Sequence, residues 1–272
     1  MGKEFLDRNL ALEAVRVTEA AALSSSFHMG RGNEKAADQA AVNAMREFLN
    51  NLSIDGTVVI GEGERDKAPM LYIGEKVGMG GPKVDIALDP LEGTTITAKG
   101  GENALSVLAM AEQGGFLHSP DIYMHKIAYG KKYESLDIDP ESPSDEIVKN
   151  FAKYSGIKIE NIVVCILDRP RHKELIDKVR SIGARIKLIP DGDVSAVIAT
   201  SFEDSGVDIY MGIGGSPEGV LAAAALRCIG GKIYTKLIFD DDKQIERAKL
   251  MGISDPNRIY LTNDLASGDV MF

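Results

Sequence analysis

Apolar residues recur along this chain at helical spacing first and at strand spacing afterwards. Phe5, Leu12, Val15 and Ala22 predict a helix from Phe5 to Ser25, and Ala37, Ala41, Ala44, Met45 and Phe48 predict a second from Glu34 to Leu49. "FHMGRGN" joins them as a glycine-punctuated connection carrying two cations. Two β-branched runs follow, "GTVVIGEGE" and "KVDIALDPLEGTT", each ending in acids. "NALSVLAMAEQGG" predicts another strand closed by a glycine turn, with "DIYMHKIAYG" as its hairpin partner or neighbour.

The polar, proline-bearing stretch from Tyr133 to Glu146 breaks this pattern. Beyond it the units alternate. "NIVVCILDRPRHKELIDKVRSIGARIKLIPDGD" predicts strand, turn, helix and strand, a βαβ unit that implies parallel pairing. "VSAVIATSFEDSG" predicts a helix, "VDIYMGIGG" a strand, and "SPEGVLAAAALRCIGG" a helix closed by glycines. The class is layered α/β. The expected division is an N-terminal metal-binding sub-domain over residues 1–132, a connecting segment over 133–159 and a C-terminal βαβ sub-domain over 160–272.

Composition narrows the partners. The net charge of −10 argues against nucleic acid and anionic membrane, but a few local cations can still bind an anionic substrate. Nothing approaches the roughly 20 apolar residues of a membrane span, and the opening "MGKEFLDRNL" is charged from its third residue, so a cytoplasmic setting is expected. Cys165 and Cys228 lie in apolar stretches without metal-type spacing and are expected as buried thiols. The four histidines show no ligand spacing.

The acids carry the first chemical signal. Alternation puts Val84, Ile86 and Leu88 on one face of a strand, and Pro90, lacking an N–H, is expected to end it. Asp89 and Glu92 then sit at the strand's C-terminal end, where α/β sheets place ligands, beside Gly93 and the Thr94 hydroxyl. Glu62 and Glu64 repeat this layout. Carboxylates so close repel unless a cation lies between them, and hard Mg²⁺ or Mn²⁺ prefers such oxygen ligands; acidic surface turns are the simpler alternative for either motif alone.

Three further motifs add to the inventory. In "MGIGGSPEG" a strand runs into glycines, then Pro217 and Glu218 in a helix's first turn; the glycines can expose N–H groups to phosphate, or the motif is a well-capped helix. Arg169 and Arg171 in "DRPRHKE" suit bidentate phosphate binding, and cations are unusual at a helix start. Asp191 and Asp193 flank Gly192 directly after a strand and can accept bonds from sugar hydroxyls, though a plain turn is equally compatible. Acids for cations, arginines for phosphate and small residues for close approach together suit metal-assisted phosphoryl hydrolysis.

"DPLEGTT" resembles the signature of the lithium-sensitive, metal-dependent sugar and inositol phosphatases. With "GRGNEKAADQAAVNAMR", "DGTVVIGEGERDKAPMLYIGEKVG", "PRH", "PDGDV" and "GIGGSPEG" in that order, the chain resembles a class II fructose-1,6-bisphosphatase of the bacterial type. The resemblance implies a layered α/β/α/β/α sugar-phosphatase fold with two packed sub-domains. It implies metal ligands at Asp38, Glu62, Asp89, Glu92 and Glu218, for Mn²⁺ or Mg²⁺, with Thr94, Glu62 and Asp89 catalytic. Substrate contacts fall on Glu92, Gly93, Thr94, Tyr123, Arg169, Pro170, Arg171, Asp191, Gly192, Asp193 and Gly215. Arg169 stands where the family places a lysine, which keeps the charge and changes the hydrogen-bond geometry.

The expected reaction is hydrolysis of the 1-phosphate of fructose 1,6-bisphosphate by a homo-oligomer. Activity on sedoheptulose 1,7-bisphosphate as well is the near alternative; an inositol monophosphatase fits less well, since the arginines and "PDGDV" suggest a second phosphate and a longer sugar. Val270–Phe272 is expected to open a strand beyond which family members continue, and this raises a catalytically silent, sugar-phosphate-binding protein as the rival from another class.

Overall fold

The computed structural model describes residues 10–63 and 70–272 and resolves the chain into two compact units, Met1–Gln113 with Met271 and Gly114–Val270 with Phe272. Helix α1 (Leu10–Ser26) leads into α2 (Glu34–Leu49), whose first turn is capped by Asn33 Oδ1 accepting from the Ala36 N–H at 3.1 Å, worth about 1 kcal/mol. The strands of this unit are β1 (Asp55–Ile60), β2 (Lys76–Val77), β3 (Lys83–Glu92) and β4 (Leu105–Glu112), with the short helix α3 (Thr94–Lys99) between the last two. They pair in the order β4-β3-β1-β2, with β1 and β3 parallel and the other pairings antiparallel. The core is built as the alternation requires. Ile86 and Leu88 of β3 and Val58 of β1 pack with Ala37, Ala41, Met45 and Leu49 of α2 and with Val17 and Ala21 of α1.

Pro90 does not end its strand. β3 continues to Glu92 through an irregularity: Asp89 still pairs with Val107, and pairing resumes at Glu92 opposite Leu105. Proline cannot donate to a ladder, and the bulge removes that demand while bending the strand. "DIYMHKIAYG" is no partner of β4 either. It forms β5 (Tyr123–Gly130), a central strand of the second sheet.

The second unit contains α4 (Ser144–Ser155), β6 (Val163–Leu167), α5 (Lys173–Ser181), β7 (Arg185–Ile189), α6 (Asp193–Ala199), β8 (Ile209–Gly215), α7 (Ser216–Ile229), β9 (Gly231–Leu237), α8 (Asp242–Leu250), β10 (Ile259–Leu261) and α9 (Thr262–Leu265). Its six strands run β10-β9-β5-β8-β6-β7, and the expected βαβ unit is there: β6 pairs parallel with β7 and with β8. One face packs Ile127, Ile166, Ile209 and Met211 against Ile147 and Phe151 of α4 and Ile176 and Val179 of α5. Helices α6 and α7 pack on β5 and β8, and α7 on β9 as well. Tyr133–Glu146, read from sequence as a boundary, lies within this unit; Leu136 and Ile138 are buried in its core, and Leu136 O accepts from Tyr129 Oη at 2.6 Å. Val270–Met271 is a short strand, as expected. Among the described residues no helix is long and apolar enough to cross a membrane.

Candidate active site

In the first unit the expected acids gather at one end of the sheet. β1 and β3 run parallel, so Glu62, just past β1, and Asp89 to Glu92, at the end of β3, share that end. The bulge shapes the pair. Asp89 Oδ1 accepts from the Leu91 N–H at 3.0 Å, and Glu92 is buried. Gly93 adopts φ 101°, ψ 49°, a left-handed conformation natural to glycine, and turns the chain at once into α3 with Thr94 as its first residue.

The glycine loop between α1 and α2 secures the other end of α3. The Gly30 and Gly32 N–H groups donate to Thr97 O at 2.9 Å and Ala98 O at 2.8 Å, satisfying carbonyls that a helix end leaves unpaired. Glu62 is held through its backbone: its N–H donates to Leu71 O at 3.0 Å, and Ile73 N–H donates to Gly63 O at 2.9 Å, so the chain leaving β1 is pinned to the chain returning at Ile73. Glu64 lies outside the described residues. Asp38 is half-buried on α2, the helix that packs on β3 and α3, and burial raises its carboxyl above the ordinary aspartate range.

In the second unit the expected residues meet at the C-terminal ends of parallel β6, β7 and β8 and at the start of β5. Arg169 Nη2 lies 3.8 Å from Asp191 Oδ1. The Arg171 guanidinium sits 4.7 Å from the centre of the Tyr123 ring, and its Nε and Nη2 donate to Ile213 O at 3.0 and 2.8 Å. Tyr123 pairs with Gly215 across β5 and β8. Gly192, at φ 87°, turns β7 into α6, and Pro170 opens the 3₁₀ turn Pro170–His172.

Sequence reasoning missed what holds Asp193. Its Oδ2 accepts from Lys126 Nζ at 2.7 Å and from Tyr210 Oη at 3.3 Å, and all three side chains are buried. Burial, and then the Asp193 carboxylate, hold the Tyr210 phenol well above its ordinary range. A signal was available, since Lys126 shares its strand face with the buried Met124 and Ala128. A cation on an apolar face calls for a buried acid. Beside this network Glu218 Oε2 is buried and finds no hydrogen-bond partner among the described residues. Burial raises the Glu218 carboxyl, with Lys126 pulling the other way.

A family model described as bacterial fructose-1,6-bisphosphatase, glpX-encoded, matches residues 8–272. The chain belongs to this family. Similar relatives carry the name D-fructose 1,6-bisphosphatase class 2/sedoheptulose 1,7-bisphosphatase. The protein from Crocosphaera subtropica is 43% identical, that from Synechocystis sp. 42% and that from Trichodesmium erythraeum 41%, each over 98% of this chain and 84% of the relative.

The bacterial fructose-1,6-bisphosphatase family implies a divalent metal ion, and the donors present suit one. The expected ligands are all carboxylates, the choice of a hard cation. Glu218 Oε2 is an orphaned buried acceptor, and a Cβ on Gly215 would overlap it. Asp38, Glu62, Asp89 and Glu92 fall in the first unit and Glu218 in the second, and no three His, Cys, Asp or Glu among the described residues form a metal-sized group. One expectation fails at the surface: Cys165 is buried, but Cys228 near the end of α7 is exposed, because α7 buries its Val220–Leu226 stretch and releases its last turn.

Proposed function

We propose that the chain hydrolyses the 1-phosphate of fructose 1,6-bisphosphate to fructose 6-phosphate and inorganic phosphate. The observation that carries this reading is the family match over residues 8–272, which takes in both the acid-rich end of β3 and the arginine turn after β6. Asp38, Glu62, Asp89, Glu92 and Glu218 are the carboxylates that hold Mg²⁺ or Mn²⁺. When bound, the cation supplies neutralisation of charge at the phosphoryl oxygens. The Thr94 hydroxyl, fixed at the first residue of α3, orients the attacking water and takes part in removing its proton. The phosphorus–oxygen bond to C1 breaks, a new bond forms to the water oxygen, and the sugar oxygen leaves with a proton.

Arg169 and Arg171 anchor the distal phosphate, a task suited to the planar, always charged guanidinium. Asp191 faces a sugar hydroxyl. Asp193, already engaged by Lys126, fixes the turn that presents Asp191 and Gly192. The enzyme works as a homo-oligomer in the cytoplasm under this proposal. A second reading, activity on sedoheptulose 1,7-bisphosphate as well, is favoured by the double name of all three relatives.

The test is phosphate release from each bisphosphate with Mn²⁺, with Mg²⁺ and with chelator. Metal-dependent release from fructose 1,6-bisphosphate is expected, and the ratio of kcat/KM on the two sugars decides between one activity and two. Binding of the bisphosphate by calorimetry, with no release under any metal, would refute hydrolysis and identify a silent sugar-phosphate-binding protein.

A further inference from the structure

His172 is buried, yet it belongs to the same 3₁₀ turn as the exposed Arg171. Its ring bridges two strands that have parted. β6 and β8 pair at Val164–Ile209 and Cys165–Tyr210, and the chain turns away from the sheet after Leu167. Past that point, His172 Nδ1 lies 2.7 Å from Leu167 O and Nε2 lies 2.7 Å from Ile213 N. The partners fix the tautomer. A carbonyl oxygen can only accept, so Nδ1 carries the hydrogen; a peptide N–H can only donate, so Nε2 is bare. The neutral imidazole thus replaces a missing rung between the end of β6 and the middle of β8. Gly212 lets the ring approach the strand closely, since a Cβ there would stand 3.2 Å from Nε2 and 3.3 Å from Cε1.

The same residue of β8 that His172 holds by its N–H holds Arg171 by its carbonyl: Ile213 O accepts from both Nε and Nη2 of Arg171. We infer that His172 is a positioning residue for Arg171, setting the guanidinium that receives the distal phosphate through their shared hold on Ile213. The inference rests on the proposed role of Arg171 as phosphate anchor.

The arrangement is sensitive to pH because it needs a bare Nε2. A protonated Nε2 would point an N–H at the Ile213 N–H from 2.7 Å, two donors face to face. The surroundings favour the neutral ring. Burial lowers its basicity first, the backbone bond to Leu167 opposes this, and the Arg171 and Arg169 charges lower it again. His125 on β5 also faces it, and it too is held below the ordinary imidazole range by burial, by Lys236 of β9 and by His172. Lys126 of β5, paired with Asp193 at 2.7 Å, Lys178 and Glu174 of α5, joined at 2.6 Å, and Lys236 with Glu141, at 2.7 Å, complete the charged lining of the ≈ 640 Å³ cavity that His125, Arg171 and His172 share. A folded-state imidazole below its unfolded value means the unfolded chain binds the proton more readily. The bridge therefore holds at neutral pH and through the ordinary imidazole range, and is lost as pH falls further, through the lowered folded-state value.

The test compares wild type, His172→Gln, His172→Phe and Arg171→Ala across pH 5.5–8, reading KM and kcat for fructose 1,6-bisphosphate separately. His172→Phe removes both bonds and is expected to raise KM about tenfold, the scale of one misplaced charge-assisted hydrogen bond, with kcat within about twofold. His172→Gln keeps an acceptor for the Ile213 N–H and cannot titrate. Its KM is expected to match wild type at pH 8 and to stay low at acid pH, where the wild-type value climbs. Titration of the substrate's own phosphate affects both proteins alike, so the ratio of their KM values carries the reading. Should His172→Phe fail to fold, that ratio decides alone. A pH-independent ratio near one would overturn the inference while the anchor role stood, provided Arg171→Ala raised KM. An unchanged KM in Arg171→Ala would refute the anchor role, and the inference with it.

Discussion

Gly215→Ala isolates one contact. Gly215 has φ −64° and ψ 146°, a conformation open to any residue, so an added methyl strains no backbone. The three atoms nearest the added methyl all belong to Glu218. A Cβ at this position would overlap Glu218 Oε2 and stand 2.9 Å from Cδ and 3.3 Å from Oε1. Carbon atoms rest about 3.5–4.0 Å apart, so the carboxyl carbon must retreat by at least about 0.6 Å, and Oε2 by more. Metal–oxygen distances tolerate about 0.2 Å, and displacements on this scale around a ligand cost roughly 10–100-fold in affinity. The assay is phosphate release against Mn²⁺ concentration, paired with direct Mn²⁺ binding followed by electron paramagnetic resonance. A tenfold or larger rise in the half-saturating concentration is expected, with a thermal midpoint near wild type because the variant also loses unfolded-state entropy worth about 0.4–1 kcal/mol. Gly214→Ala serves as the contrast. Its Cβ would overlap Asp193 Oδ2 and stand 3.0 Å from Lys126 Nζ, so stability should fall with a smaller change in metal dependence. Identical Mn²⁺ curves for Gly215→Ala and wild type would remove Glu218 from the metal-binding set.

Other consequences can be checked directly. Lys126→Met strands a buried Asp193 carboxylate without its cation and should cost about 3–5 kcal/mol in denaturant-induced unfolding, partly restored by adding Asp193→Asn; a loss below about 1 kcal/mol would mean the pair is dispensable. Glu62→Gln should cut turnover at least about a hundredfold and leave the thermal midpoint within a few degrees, since the backbone bond to Leu71 survives the change; unchanged turnover would take Glu62 out of the chemistry. Thiol titration of the native protein at mildly alkaline pH should find one reactive group, Cys228, and two after denaturation, because Cys228 is exposed, though partial burial raises its thiol as well, while Cys165 is buried and pushed up to about 11; two fast native thiols would contradict the packing around β6.

Much of the frame was legible because its signals are local. Helix α2 begins at Glu34 and ends at Leu49 as its spacing and the Asn33 cap dictate, and the β6–α5–β7 unit follows from a single continuous stretch. Failures came where a residue's meaning depends on a distant partner. Pro90 is a strand stop by its own chemistry, and only the register of β4 shows that the strand continues around it. "DIYMHKIAYG" reads as a hairpin arm from its proximity to β4, while its hydrogen-bond partners, β8 and β9, come 80 to 113 residues later. Asp38 had no local signal and came from the resemblance alone. His172 sat in a motif already marked as odd for its cations, and what resolves the oddity is Ile213, 41 residues away.

The glycines of β8 show why such a strip misleads a reader of sequence. In "MGIGGSPEG" they left two readings open, backbone N–H groups bared for phosphate or a well-capped helix. The structure gives each a different neighbour: a Cβ on Gly212 would press on His172, one on Gly214 would overlap Asp193, and one on Gly215 would overlap Glu218. What these glycines share is a missing Cβ where a polar side chain from another element, or from the turn that follows, must touch the strand. The N–H between them is spoken for, since Ile213 donates to His172. This agrees with the proposal that the Arg169 and Arg171 side chains, rather than the glycine backbone, receive phosphate in this unit. A methyl scan along β8 separates the two accounts. If the glycines cradled phosphate, alanine at all three positions would raise the KM for bisphosphate alike. If they make room, Gly212→Ala should act on KM through the His172 bridge, Gly214→Ala on stability through the Lys126 pair, and Gly215→Ala on metal affinity through Glu218.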